Sequence, residues 1–431
     1  MLVGFAGAIA FGTFLLLTPF ATESGQSAGL VTALFTATSA VCLTGLIVED
    51  TPEYWSTLGE VAIMLLIQMG GLGIMTMASL LGLLVGRRFG LRMQMTAQTE
   101  TKSLSLGEVR TVISGVMLMS LLFEFVLAVV LTLRLMTGYG EDIGRAAYLG
   151  LFHAVSAFNN AGFALYSDSL MGFVTDPWIM VPVAVAVIAG GIGFPVLFEL
   201  ARRARPRQWT LHTKVTLLTT AVLLVGGFGF ITVAEWSNPD TMGPLGVPGK
   251  LLAGFFGAVM PRTAGFNALD IGEMNSTTLL VHDVLMFIGG GSAGTAGGIK
   301  VTTFALLGFV MAAEVRGETS VHVLGRKLPA TVQRQALTIA LIGVGAVMLA
   351  TIVMLAITRL RLDDVLFEVV SAFGTVGLST GITDSLPIAG QLIITLLMFI
   401  GRLGPVTAAA ALALRDRPRR YELPEGRPIV G

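Results

Sequence analysis

The residues able to do chemistry in this chain sit in four stretches of similar build: LFTATSAVCLTGL (34 to 46), LFHAVSAFNNAGF (151 to 163), GFFGAVMPRTAGF (254 to 266) and LFEVVSAFGTVGL (366 to 378). Each has Phe at its second position and glycine at its twelfth, giving Gly45, Gly162, Gly265 and Gly377. Three carry serine and alanine at the sixth and seventh positions: Ser39-Ala40, Ser156-Ala157 and Ser371-Ala372. Glycine supplies dihedral freedom that other residues resist. An extended stretch closed by glycine can therefore turn its carbonyls to one side, and rings of carbonyls replace a cation's water shell. The chemistry expected is cation coordination by main-chain oxygens, from Val41, Cys42, Leu43, Thr44 and Gly45 in the first stretch and Asn159, Asn160, Ala161 and Gly162 in the second. Arg262, Thr263, Ala264 and Gly265 contribute from the third, and Gly374, Thr375, Val376 and Gly377 from the fourth. For an isolated glycine, close packing of helices would be the simpler explanation. Four in-phase glycines after apolar segments argue for a selectivity filter.

A second echo follows each stretch: GGLGIMT (70 to 76), GGIGFPV (190 to 196), GGIKVTT (297 to 303) and GRLGPVT (401 to 407). The chain is thus read as four units of helix, knot and helix, over 1 to 86, 87 to 205, 206 to 325 and 326 to 415, with a tail at 416 to 431. Unit three departs from the rest. Its echo comes late, and an earlier glycine run at Gly290 stands where the echo should begin, seven residues upstream of Gly297. The segment Gly290, Gly291, Ser292, Ala293, Gly294, Thr295, Ala296, Gly297, Gly298 up to Lys300 therefore reads as a pliable break within a spanning helix, suited to a gate under the filter. A static kink packed against its neighbours is the competing reading.

These elements must sit in a bilayer. Hydrophobic residues make up 54% of the 431 and charged ones 13%, with a mean hydropathy of +0.82, which disfavours a water-soluble fold. A spanning helix needs roughly 20 apolar residues, and uncharged runs cover 1 to 22, 61 to 86, 177 to 198, 215 to 234 and 335 to 358. Residues 1 to 22 lack the basic start of a secretory signal and read as a first span. If each knot dips into the membrane and returns, the segments 87 to 110, 202 to 214, 300 to 334 and 415 to 427 share one side and hold 20 of the 27 Lys and Arg residues. That positive-inside bias puts both termini in the cytoplasm. The fold expected is all-helical, with eight spanning helices and four re-entrant half-helices around a single pore. A half-helix entering from outside turns its carbonyl end, with partial negative charge, toward the axis.

Other chemistries lack their residues. Cys42 is the single cysteine, which excludes an intrachain disulfide and a cysteine metal cluster. His153, His212, His282 and His322 show no ligand spacing. No nucleophile and base arrangement, phosphate-cradling loop or nucleic-acid signal stands out, and no covalent cofactor is expected. An enzyme is therefore disfavoured.

With these residues in hand, the chain resembles the translocating membrane subunits of the Ktr and Trk potassium uptake systems, related to fungal and plant transporters. TSAVCLTGL (38 to 46), FNNAGF (158 to 163), PRTAGFN (261 to 267), SAFGTVGLSTGIT (371 to 383), LHTK (211 to 214) and GGSAGTAGGIK (290 to 300) carry the resemblance over nearly the whole chain. The first filter segment and the terminal YELPEGRPIVG look more like Ktr, that is KtrB-like, than Trk. The resemblance implies potassium uptake across the plasma membrane, with potassium held at the filter carbonyls. It also implies a homodimer bound on its cytoplasmic face by nucleotide-binding regulatory subunits of the RCK type (KtrA or TrkA-like), and sodium as an activator is a trait of the family. One glycine per unit is fewer than the TVGYG loop of tetrameric potassium channels carries, so some sodium passage is expected. A secondary transporter of sodium or ammonium is the alternative within transport.

Charged residues inside the apolar segments complete the reading. Arg402 interrupts an uncharged stretch from 385 to 414, where a central charge costs at least about 2.5 to 3.5 kcal/mol. It is expected to face the cavity as part of the barrier, or else to pair with Glu124. Lys300 either binds carbonyls at the end of the loop or snorkels. Arg262 and Glu368 are candidates to pair behind the filter, and Glu49, Asp50, Glu53, Asp363 and Asp364 can raise cation concentration outside. Shortening 291 to 297 is expected to raise ion flux in the absence of a regulatory subunit, measured as uptake into vesicles. Unchanged dependence on the regulator would count against the gate.

Overall fold

The computed structural model describes residues 2–94, 106–202 and 205–414. The tail expected at 416 to 431 and parts of the basic segments at 87 to 110 and 202 to 214 lie outside the described residues. The first helices are α1 (Leu2–Leu16), α2 (Leu30–Cys42), α3 (Thr51–Tyr54) and α4 (Thr57–Gln94). Next come α5 (Leu106–Tyr139), α6 (Ile143–Phe158), α7 (Pro177–Ile192) and α8 (Phe194–Ala201). They are followed by α9 (Leu211–Glu235), α10 (Val247–Val259), α11 (Ser276–Phe287) and α12 (Val301–Val315). A small antiparallel hairpin of β1 (His322–Val323) and β2 (Arg326–Lys327) then leads to α13 (Ala330–Ile357), α14 (Leu362–Gly374) and α15 (Ile388–Leu414). The boundary expected at 205/206 falls between α8 and α9 and that at 325/326 in the hairpin, whereas 86/87 falls inside α4.

Length separates two kinds of helix. α2, α10 and α14 have 13 residues and α6 has 16. A 13-residue helix rises roughly 20 Å, too short for a hydrocarbon core of about 30 Å. These are the apolar halves of the four knots, and their C-terminal turns are buried, from Phe35 to Cys42 in α2 and from Phe367 to Gly374 in α14. Among the described residues, three helical stretches are long and apolar enough to cross a bilayer alone: Thr111–Tyr139, Leu211–Glu235 and Ala330–Ile357. The pair α7 and α8 qualifies jointly but is bent by 106°. Eight spanning helices were expected, one of them broken at 290 to 300, and the interruptions have local causes. Gly193, at φ 95°, breaks α7 from α8, and the glycine run after Phe287 separates α11 from α12. By length alone α4, with 38 residues, and α15, with 27, can also cross the bilayer.

The outward faces of α5, α9 and α13 carry exposed apolar side chains such as Phe125, Val225 and Leu349, as helices in lipid do. Carboxylates tie helix ends together. Asp176 caps α7 through the Trp178 N–H at 2.9 Å and accepts from Arg134 Nε at 2.7 Å and from the Tyr139 hydroxyl at 3.0 Å. Glu235, at the end of α9, accepts from Thr241, from Asn238 and from the Asn275 backbone that opens α11. Glu199 of α8 accepts from the Thr210 N–H and hydroxyl, so the bent half-helix is stapled to the start of α9.

Candidate ion-selective site

Beyond each short helix the backbone does the same unusual thing. Leu43, Asn160, Thr263 and Thr375 adopt φ of 57°, 56°, 69° and 51°, and the glycine two residues later is left-handed as well. A non-glycine residue with positive φ is uncommon, and here it recurs at the same place in all four segments. Thr44, Ala161, Ala264 and Val376 lie between the two left-handed positions with ordinary negative φ. In an ordinary strand successive carbonyls alternate in direction, and alternating backbone handedness removes that alternation. Val41 and Cys42 belong to the last turn of α2, and Gly374 to the last turn of α14. Asn159 caps α6.

The four segments then meet. A Cβ on Gly45 would collide with the Ala161 carbonyl, and one on Gly162 would lie 2.8 Å from the Ala264 carbonyl oxygen. One on Gly265 would strike the Val376 carbonyl, and one on Gly377 the Thr44 carbonyl. Each bare α-carbon abuts the next segment in chain order and the fourth returns to the first, so Gly45, Gly162, Gly265 and Gly377 close a ring. The glycines of the second echo do a different job. Gly70, Gly190 and Gly401 lie against the Val41, Phe158 and Phe373 carbonyls at the ends of α2, α6 and α14. This is close helix packing.

The repeated serine holds each segment from behind. Ser39 Oγ accepts from the Gly45 N–H at 3.0 Å and donates to the Leu46 carbonyl at 2.7 Å. Ser156 donates to the Phe163 carbonyl at 2.7 Å, and Ser371 accepts from the Gly377 N–H at 3.1 Å. The serine carbonyls accept from the Thr44, Ala161 and Val376 N–H groups at 2.8 Å each. Unit three has Val259 there, and the Met260 carbonyl takes the Ala264 N–H at 3.0 Å instead. The serine repeats visibly in the sequence, but its role emerges only from these contacts. Thr44, Thr263 and Thr375 leave buried hydroxyls without a protein partner, which is costly unless water or an ion serves them.

On one side the ring floors a cavity of about 410 Å³. Glu49, Asp50, Asp270 and Asp384 line it, and no Lys or Arg does. Asp270 and Asp384 were missed in the sequence, where nothing distinguishes them from other loop carboxylates. Asp363 instead pairs with Arg361 at 2.6 Å on the surface. Burial pushes the Tyr166 phenol in the cavity wall up to about 12, with Glu141 adding to the shift, so this ring stays neutral.

On the other side lies the break between α11 and α12. Residues 288 to 300 are non-helical and buried almost throughout. Their main-chain groups are satisfied by the break in α7: Gly291 N–H donates to the Gly191 carbonyl at 2.7 Å, Thr295 N–H to Gly190 at 3.2 Å, and Phe194 N–H to Ala293 at 3.2 Å. Gly289 N–H donates to Ile299 at 2.8 Å and closes the loop at its base. The loop reaches the ring segments: Thr295 Oγ1 donates to Asn160 Oδ1 at 2.7 Å, and Gly297 packs against Thr375. Lys300 Nζ donates to the Ala296 carbonyl at 2.5 Å, and Arg402 Nη1 to the Thr295 carbonyl.

Two expected ion pairs are absent among the described residues. Arg402, 2% exposed, is held by the loop rather than by Glu124, whose carboxylate accepts from Gln68 and Asn159. Arg262 turns back to the Gly289 carbonyl at 3.4 Å, at the base of the break, and to the Thr220 carbonyl within α9 at 3.3 Å. Glu368 accepts from Thr383 instead. Main-chain carbonyls rather than carboxylates took these cations.

The chain is similar to known proteins over nearly its whole length. A family model described as TrkH, cation transport protein, matches residues 8–417, and the chain belongs to that family. It is 40% identical to Ktr system potassium uptake protein B of Bacillus subtilis, covering 100% of this chain and 95% of the relative. Identity to the protein of the same description in Vibrio alginolyticus is 38%, over 100% and 94%. Potassium/sodium uptake protein NtpJ of Enterococcus hirae is 37% identical, over 99% and 96%. The crystal structure of the potassium transporter TrkH from Vibrio parahaemolyticus superposes with a TM-score of 0.71 at 18% identity, covering 95% of this chain and 84% of that one. That likeness establishes the helical membrane fold.

Ser371→Ala leaves the half-buried Gly377 N–H without its side-chain partner, a loss of about 0.5 to 1.5 kcal/mol. The expected result is a lower midpoint of thermal unfolding in detergent. An unchanged midpoint would contradict the assignment.

Proposed function

We propose that this chain is the ion-conducting membrane subunit of a potassium uptake system of the Ktr type, built from four units around one path. The observation that carries the reading is the closed ring of four left-handed glycines, each against the next segment's carbonyl. In this reading Thr44, Ala161, Ala264 and Val376, with the adjoining glycines, supply the oxygens that replace the water shell of potassium. Each short helix aims its carbonyl end at the ring and adds negative potential there. The acidic cavity is the outer vestibule, which concentrates cations in front of the filter.

Conduction is passive and runs down the electrical gradient, which does about 2.3 kcal/mol of work per charge per 100 mV. The loop at 288 to 300 is the gate, held shut by Arg402 on Thr295 and Lys300 on Ala296. Arg402 also sets an electrostatic barrier, because two of its guanidinium nitrogens have no protein partner. Control comes from a cytoplasmic nucleotide-binding partner that meets the basic loops, both termini lie on that side, and the subunit is a homodimer in the plasma membrane. The basic cytoplasmic loops and the resemblance to Ktr systems favour the regulatory partner, and the charge bias favours the orientation. The potassium and sodium in the description of NtpJ, together with one glycine per unit, favour some sodium passage, and sodium is proposed as an activator on the family's account alone.

The test is potassium and rubidium uptake into liposomes holding the purified protein, with sodium as competitor, for wild type and Gly265→Ser. The serine Cβ meets the Val376 backbone and must adopt positive φ. Wild type is expected to prefer potassium and the folded variant to lose that preference. Equal selectivity in both would overturn the filter.

A further inference from the structure

Behind the second segment of the ring lies a hydrogen-bonded trio that the ion path does not itself use. Asn159 is fully buried at the end of α6, and Glu124 of α5 is 4% exposed. Asn159 Nδ2 donates to Glu124 Oε1 at 3.0 Å and to Gln68 Oε1 of α4 at 2.9 Å. Gln68 Nε2 donates to Glu124 Oε2 at 3.1 Å. The trio therefore joins three helices from two units. Gly71 makes room for it, since any Cβ there would overlap the Asn159 side chain.

A carboxylate inside a membrane protein is expensive, and Glu124 has no cationic partner among the described residues. For holding helices together, an apolar trio of similar volume would serve as well or better. What the polar trio adds is direction. Both carboxylate oxygens face amide N–H groups, which fixes the Asn159 amide and the chain leaving it. That chain runs into Asn160, whose Oδ1 receives the Thr295 hydroxyl of the buried loop at 2.7 Å, and then into Ala161 and Gly162 of the ring. The other units place Cys42, Arg262 and Gly374 where unit two has Asn159, so this buttress supports only one quarter of the ring.

We propose that Glu124 is a positioning residue that sets ion selectivity: through Gln68 and Asn159 it holds the second ring segment in register and keeps Asn160 aimed at the loop. The inference rests on the reading of the glycine ring as the filter.

The geometry allows a test by exchange. Glu124→Gln places a donor where an acceptor is needed, and Gln68→Glu sets two carboxyl groups against each other. The double exchange, Gln68→Glu with Glu124→Gln, restores every hydrogen bond with the pair's roles reversed, because residue 68 then accepts from the residue 124 amide and both still accept from Asn159. Potassium and rubidium uptake into liposomes is measured against sodium for wild type, both single variants, the double exchange and Gly265→Ser, at matched amounts of protein eluting as the native peak. Glu124→Gln is expected to lower the preference for potassium over sodium by roughly threefold to tenfold, the scale of one ordinary hydrogen bond. The double exchange is expected to recover it. Helix packing alone would alter yield and thermal stability without moving the ion preference. If Gly265→Ser shifts the preference while Glu124→Gln leaves it at the wild-type value, the proposal is overturned and the filter stands. If Glu124→Gln cannot be recovered folded, a folded double exchange that lacks the wild-type preference overturns it equally. An unchanged preference in Gly265→Ser removes the filter and the proposal together.

Discussion

Four α-carbons without side chains set the terms for the rest of this molecule. At Gly45, Gly162, Gly265 and Gly377 the main chain of one segment lies where a Cβ would be, and that Cβ would meet main chain rather than a flexible side chain. Backbone cannot move aside as a side chain can, so the segments approach this closely only if each arrives at the right height and angle. The short helices do the delivering, the serines at their last turns pin three of the four arrivals, and the surrounding helices pack small residues against the helix ends. The left-handed residue two positions before each glycine is strained for any side chain. It persists because the packing around it overdetermines it.

Satisfaction of main-chain groups at membrane depth is the second constraint, and it links the ring to what lies beneath it. Non-helical backbone in a bilayer survives only where protein or a water-filled cavity serves it. Here two helix breaks serve each other: Gly190 and Gly191 at the end of α7 receive N–H groups from the loop at 288 to 300, and Phe194 donates back. A movement of the loop must therefore disturb α7 and α8, and through Glu199 the start of α9. Thr295 lies at the crossing of these contacts, touching Asn160 above through its hydroxyl and Arg402 through its carbonyl. Any movement of the loop has to break charge-assisted hydrogen bonds from Arg402 and Lys300.

Much of this was legible in the sequence, for physical reasons. A ring that needs four copies of one backbone conformation imprints a fourfold pattern, and glycine is the residue on which that demand falls hardest. Seven extra residues in unit three marked the loop, and the structure breaks the helix there. Other features left no sequence signal. Leu43, Asn160, Thr263 and Thr375 are ordinary residues forced left-handed by tertiary packing, and nothing in their types announces it. The 106° bend at Gly193 depends on the loop from another unit, so GGIGFPV looked like its straight counterparts. Pairing by opposite charge misplaced Arg262, because main-chain carbonyls compete with carboxylates and could not be located before the break was; Arg402 was expected at the barrier or on Glu124, and it lies on the loop.

The chain belongs to a family of cation transport proteins, and its four segments converge on a ring under an acidic cavity and over a buried loop. The claim at the centre is that ring oxygens bind a dehydrated cation. The most direct measurement is the anomalous scattering of rubidium in crystals of the protein grown with that ion in place of potassium. The expected result is a peak on the axis of the ring, equidistant from the Thr44, Ala161, Ala264 and Val376 carbonyls and diminished in crystals of Gly265→Ser. Rubidium found only among the vestibule carboxylates, with none on the ring axis, would contradict it.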